Sequence, residues 1–391
     1  MSEAQPKPLT WRDAWLLPLI SLVTVLVMLI GAEAAAQVFW PEEKANSCAV
    51  HDDTLLGFHN RPHCVSRMKA AEGPWYTNSY NECGYRSLAS CAPVQPGVRR
   101  IAFIGASISG GHLVEYEHTI ATSLGQSLTA MCPVPVQIQN LAAAGYTGRK
   151  NIFRMAEALK LHPQAVILVQ TPVDIENQLD DTLPPITDAI LAAPPKVAVR
   201  ATKIRKADLM QQASSIIRDS RAGVVAQHFM FSDPSIYIPL FMANGDKAAF
   251  LTPPFTPIWQ ARLARFEELI AVLADQAHRA NVPFVLVFVP HQAEIAMETG
   301  ATRPPGVDPF AFSKTLEAIA IRHGAVFVDA SEILRQQPDP ASLYYRVDGH
   351  PSGQGQPMIG RSLAEHIASL RPGPFSDCRG PATSGPPPKA S

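Results

Sequence analysis

Near the C-terminal end the chain reads Tyr-Arg-Val-Asp-Gly-His-Pro-Ser-Gly-Gln-Gly, which sets an acid, Asp348, two residues before a base, His350. In an extended segment residues i and i+2 leave the same face, so the carboxylate can approach one ring nitrogen of the imidazole. The other nitrogen then stays free to take a proton from a hydroxyl. The same residue types also build turns and helix caps, so the pair needs a nucleophile to acquire meaning. Ser107, in Ile-Gly-Ala-Ser-Ile-Ser-Gly-Gly, is the leading candidate and Ser109 the second. A third feature is Gly145, in Asn140-Leu-Ala-Ala-Ala-Gly-Tyr-Thr-Gly, whose N–H could meet a developing oxyanion or simply serve a tight turn.

The elements that must position these residues alternate short apolar strands with longer helical segments from Arg99 onward, the pattern of an α/β domain with a mainly parallel sheet. The predicted strands are 100–104, 134–140, 165–169, 284–289 and 325–328. Each is short, apolar and β-branched, as suits a strand buried on both faces. Helices are predicted over 118–131, 149–161, 259–280, 309–323 and 358–370. The third has the clearest period, with Leu263, Phe266, Ile270, Leu273 and Ala277 on one stripe. Ser107 and Gly145 both fall just past the C-terminal end of a predicted strand, where open α/β sheets bind ligands. Residues 41–98 read as an irregular, turn-rich lead-in. The segment 178–258 interrupts the alternation with proline clusters and is read as an inserted cap, and the Pro-rich tail 371–391 as disordered.

The chain has 391 residues and a formal net charge of -1, which argues against nucleic acid, and no basic stripe carries interleaved aromatics. Residues 15–30 form a charge-free apolar run, extended by Gly31-Ala32 and, past Glu33, by Ala34 to Trp40, so that 15–40 is long enough to span a bilayer, and Phe39 and Trp40 suit its interface. Lys7 and Arg12 point residues 1–14 toward the cytoplasm, although the small residues after Gly31 also suit a cleaved signal peptide. The expectation is a single-pass inner-membrane anchor with the main domain on the extracytoplasmic side. All six cysteines, Cys48, Cys64, Cys83, Cys91, Cys132 and Cys378, follow that segment, as disulfides in an oxidising compartment would. Their pairing is open. His51, His59 and His63 lie near Cys48 and Cys64 without a standard zinc spacing, so neither metal nor other cofactor is expected.

Taken in order, a serine after the first strand, a glycine after the second, a block after the third and a terminal acid–histidine pair resemble the SGNH or GDSL hydrolases over about residues 75–370. The phrases Thr77-Asn78-Ser79 and Gly84-Tyr85-Arg86-Ser87 resemble the lead-in of membrane-anchored members. The resemblance implies a three-layer α/β/α fold, with Ser107 the nucleophile, His350 the base, Asp348 its orienting acid, and Ser107 and Gly145 the oxyanion donors. It implies a serine esterase or acyltransferase acting on O-acyl groups, acetyl foremost, of an envelope or secreted carbohydrate, with polysaccharide machinery as a partner. Two positions depart from the pattern. Ala106 replaces the aspartate of the first block, and the third reads Thr171-Pro172-Val173-Asp174, where Val173 lacks the asparagine amide. Gln170 or Asn177 could substitute as donor, and Asp174 and Asn177 are read as facing substrate. The alternative is a weak or inactive glycan-binding or assembly module of the same fold.

Overall fold

The computed structural model describes residues 11–43, 45–53, 55–180, 220–300, 302–371 and 373–378. Strands β5 (Arg99–Gly105), β6 (Val136–Asn140), β7 (Ala165–Gln170), β8 (Phe284–Phe288) and β9 (Val326–Asp329) form one parallel sheet in the order β6-β5-β7-β8-β9. Side chains alternate across it as a period of two requires. Ala102, Ile104, Val166, Leu168 and Leu286 enter one core. Ile101, Phe103, Ile167, Val169 and Val285 enter the other.

Helices cover both faces, which gives three layers. On the first face lie α3 (Lys150–Lys160), α7 (Pro257–Arg279) and α9 (Ala311–Arg322). All five residues of the α7 stripe are buried, and full burial of such side chains contributes roughly 1.5–3 kcal/mol each for the larger ones. The second face holds α2 (Ile120–Met131) and α11 (Gly355–Ser369). These two helices approach closely at Gly360, where an added Cβ would stand 2.5 Å from the Ile120 carbonyl oxygen. That approach matters for chemistry, because α2 follows the Ser107 turn and α11 follows His350.

The strands, helices and layer arrangement agree with the sequence expectation, with shifts of a few residues at element ends. The lead-in differs from it. Instead of an irregular run it contains two antiparallel pairs, β1 (Ala49–Val50) with β2 (His59–Asn60) and β3 (Val65–Lys69) with β4 (Trp75–Ser79). The β3 strand alternates exposed and buried residues, with Ser66 and Met68 inward, but it is short and interrupted by polar residues, so its period is weak in sequence. Three disulfides, Cys48–Cys64, Cys83–Cys91 and Cys132–Cys378, pair all six cysteines. The last ties the segment after α11 to the end of α2.

An apolar helix, α1 (Trp11–Phe39), is long and apolar enough over Trp15–Phe39 to cross a membrane. Of the inserted segment, residues 181–219 lie outside the described residues, as do 1–10 and the tail from 379. The remainder includes α5 (Arg221–Met230), α6 (Pro234–Met242) and a 3-10 segment at Gly245–Leu251. The backbone N–H groups of Arg221 and Ala222, at the start of α5, donate to the carboxylate of Glu33 on α1 at 3.1 and 2.9 Å. Such side-chain acceptors satisfy the orphan donors of a helix N-terminus.

Candidate active site

The sheet order places its switch point between β5 and β7, where connections leave in opposite directions and a crevice opens at the strand C-termini. Ser107 stands in that crevice, two residues past β5. The turn that carries it needs Gly105: at φ +127, a Cβ there would meet the Ser109 hydroxyl at 2.3 Å. Ser107 is half-buried, and its Oγ lies 2.7 Å from His350 Nε2. The opposite nitrogen, His350 Nδ1, donates to Asp348 Oδ1 at 2.5 Å. Three residues separated by up to 243 positions thus form one relay.

The electrostatics suit proton transfer. Burial pulls the His350 pKa down, but the hydrogen bond and charge of Asp348 outweigh it and hold the ring above the ordinary histidine value. Burial likewise pushes Asp348 up, and the contact with His350 more than reverses this. Asp348 thereby stays ionised, keeps Nδ1 protonated and leaves the Nε2 lone pair facing the serine hydroxyl. Beside them, burial and the neighbouring His350 push His112 down to about 4, so this second imidazole is neutral. Its ring packs edge-on against His350 at 5.2 Å, and Nδ1 lies 3.4 Å from the Tyr76 hydroxyl.

Ala106 cannot make the hydrogen bonds of an aspartate, and other groups hold the turn. The Ser109 hydroxyl donates to the Val169 carbonyl at 3.2 Å and accepts from Val169 N at 3.3 Å. With only 1% exposure, Ser109 is a tie between strands rather than a second nucleophile. Asn140 donates to the Ser109 carbonyl at 2.8 Å while accepting from Ala142 N. Arg86, arriving from the lead-in, donates to the carbonyls of Gly110, Gly111, Val114 and Thr77. Glu72 accepts from Val347 N and Asp348 N at 2.8 and 2.9 Å, which pins the loop carrying the acid. The phrases around Asn78 and Arg86 could have flagged the lead-in. Nothing in the sequence near Glu72, Ser109 or His112 marks those contacts, because all three act through distant partners.

The other residues singled out in the sequence are placed as follows. Gly145 is exposed with φ +85 in a turn closed by the Tyr146 N–H to Ala143 carbonyl bond. From this loop it is Ala142, Ala143 and Ala144 that line the cavity beside Ser107. Asp174 is buried, and its carboxylate accepts from the Thr171 backbone and hydroxyl, forming a capping box for α4 (Pro172–Glu176). Burial pushes its pKa up to about 6, with the Thr171 bonds opposing. Asn177 Nδ2 donates to the Val173 carbonyl. Both side chains are therefore engaged by their own helix, and neither lines the Ser107 cavity. Gln170 is buried at the end of β7, where Nε2 donates to the Val169 carbonyl. Val173 is 49% exposed and is also outside that cavity.

The cavity holding Ser107 measures about 270 Å³. Its far wall is built by the disulfide-bearing lead-in: Asn46, His51, Phe58, Met68, Asn78 and Tyr80. A second cavity of about 300 Å³ lies on the Asp348 side and is bounded in part by Arg221, Val224 and Gln227 of α5. Among the described residues no cluster of His, Cys, Asp and Glu could hold a metal ion.

No family model matches the sequence, and no curated protein matches it. Solved structures with a similar arrangement include a lipase/acylhydrolase from Enterococcus faecalis, 15% identical over 69% of this chain and 95% of that one, with a TM-score of 0.37. An aryl esterase from M. smegmatis is 11% identical over 70% of this chain and 99% of that one, at 0.35. A carbohydrate acetylesterase family member from Sinorhizobium meliloti is 10% identical over 69% and 97%, at 0.35. These likenesses are distant, and the relay geometry stands without them.

Proposed function

We propose that the chain is a membrane-anchored, SGNH-like serine esterase or acyltransferase. The observation that carries the reading is the relay itself, with Ser107 Oγ 2.7 Å from His350 Nε2 and Asp348 on the other ring nitrogen. Ser107 Oγ attacks an ester carbonyl carbon, its proton passes to His350 Nε2, and the carbonyl π pair moves to oxygen. Collapse expels the alcohol oxygen, which takes the proton from Nε2, and leaves an acyl group on Ser107. Water or a second hydroxyl then attacks that acyl-enzyme, gives its proton to His350, and the serine is regenerated.

A compact cavity beside Ser107, walled by the polar Asn46, Asn78, Tyr80 and His51 as well as by Phe58, Met68 and alanines, supports a short acyl group on a hydroxyl-rich carrier. An O-acetylated envelope or secreted carbohydrate meets that description. Three disulfides support an extracytoplasmic domain. The helix capping of α5 by Glu33 supports retention of α1 as an anchor, because cleavage after Glu33, among the alanines 34–36, would discard the contact. The full-length chain in detergent should hydrolyse p-nitrophenyl acetate and release acetate from an acetylated oligosaccharide, and Ser107→Ala should abolish both. Equal rates for parent and variant would eliminate the reading.

A further inference from the structure

Val173 leaves the third block of the site without a side-chain donor, and Gly145 lies outside the cavity. We infer that Asn78, on β4 of the lead-in, supplies the missing donor to the oxyanion that forms on the ester carbonyl. The inference rests on the esterase reading above and adds a residue that neither the relay nor the departures in the third block would supply.

Four observations converge on this side chain. Asn78 lines the same cavity as Ser107. It is only 6% exposed, so its amide has few waters to turn to. Among the described residues its side chain makes one hydrogen bond, from Nδ2 to the Met68 thioether at 3.2 Å. Thioether sulfur is a weak acceptor, and the amide nitrogen carries two hydrogens, so a full donor remains for a stronger acceptor. Finally, the hairpin is locked to the nucleophile's turn. Arg86 donates at once to Thr77, the residue before Asn78, and to Gly110 and Gly111 just past Ser107.

A buried amide held by a poor acceptor is costly in the resting state, since a half-satisfied polar group loses its hydration without full return. The arrangement is favourable when a negatively charged oxygen develops within reach, because a preorganised donor then acts without reorganising. The lead-in would thereby take part in the reaction, where the sheet edge alone lacks the full set of donors.

The test compares full-length parent, Asn78→Ala and Asn78→Asp on p-nitrophenyl acetate, with folding checked by circular dichroism and melting. Both variants should lose about a hundred- to thousandfold in kcat with KM little changed, the usual effect of deleting one oxyanion donor. Asn78→Asp preserves shape and should fold, so its loss cannot be ascribed to a collapsed hairpin. Variants that keep parental kcat, or that lose only through KM, would overturn the assignment while leaving the Ser107 reading intact. An inactive parent, matched by Ser107→Ala, would overturn both. Val173→Asn in the parent background provides the opposite control: a gain of about tenfold or more would show that the site lacks a donor, against Asn78 filling it.

Discussion

On the proposed mechanism, Asp348 and His350 set the pH behaviour of the site. His350 works as a base only when neutral, and its pKa is raised by Asp348, so kcat/KM should rise with pH through a limb above the ordinary histidine value. Asp348→Asn removes that charge and is expected to move the limb to lower pH while reducing kcat by up to about ten-thousandfold, measurable in a pH-rate profile. Asp174 gives a separate stability effect. Its folded pKa of about 6 exceeds the ordinary 3.8, so the folded state holds the proton more tightly than the unfolded chain. Stability from this group is therefore lost as pH rises through that window. Asp174→Asn keeps an acceptor for Thr171 and should melt above the parent at about pH 8 and not at about pH 4. Asp348 and His350 could be singled out from residue type and local spacing, whereas Ser107 stands out by its place after a predicted strand together with the resemblance to SGNH hydrolases. Gly145 could not be assigned this way, since a glycine after a strand looks the same whether it faces substrate or closes a turn.

Between elements, the decisive contacts are those that align the Ser107 turn with the segment bearing His350. Helices α2 and α11 bring them together, and Gly360 allows the approach. Gly360→Ala would press a methyl on the Ile120 carbonyl and the Ser123 side chain. The expected cost is about 1–3 kcal/mol of stability by denaturant titration, with a fall in kcat as the two segments separate. Arg86 plays a comparable part from the lead-in. Replacing it with Met strands four carbonyls that its guanidinium now satisfies, and should cost at least about 3 kcal/mol. The parallel strands were legible because each is a short apolar run between turn residues, buried on both faces. The lead-in hairpins were not, because they are held by Arg86, which bonds the Thr77 carbonyl, and by the Cys48–Cys64 bond rather than by any period along the chain.

Across the whole molecule, the Cys132–Cys378 bond joins residues 246 positions apart, closing a loop that contains β6 to β9 while β5 and α2 precede it. Breaking it with paired serine substitutions should lower stability by about 2–4 kcal/mol, read as the difference in melting between parent and variant without reductant. Helix α1 remains exposed over its apolar length yet reaches the inserted segment through Glu33.

Sequence alone determined the alternation of strands and helices, the apolar span, the complement of six cysteines and the spacing of Asp348 and His350, because each depends on local pattern or residue type. Tertiary structure decided which cysteines pair, that the lead-in walls the cavity, that Asp174 caps a helix, and that Asn78 rather than Gly145 lines the cavity with Ser107. Those outcomes depend on contacts between segments distant along the chain, where burial and the need to satisfy every polar group choose among partners that the sequence leaves equivalent.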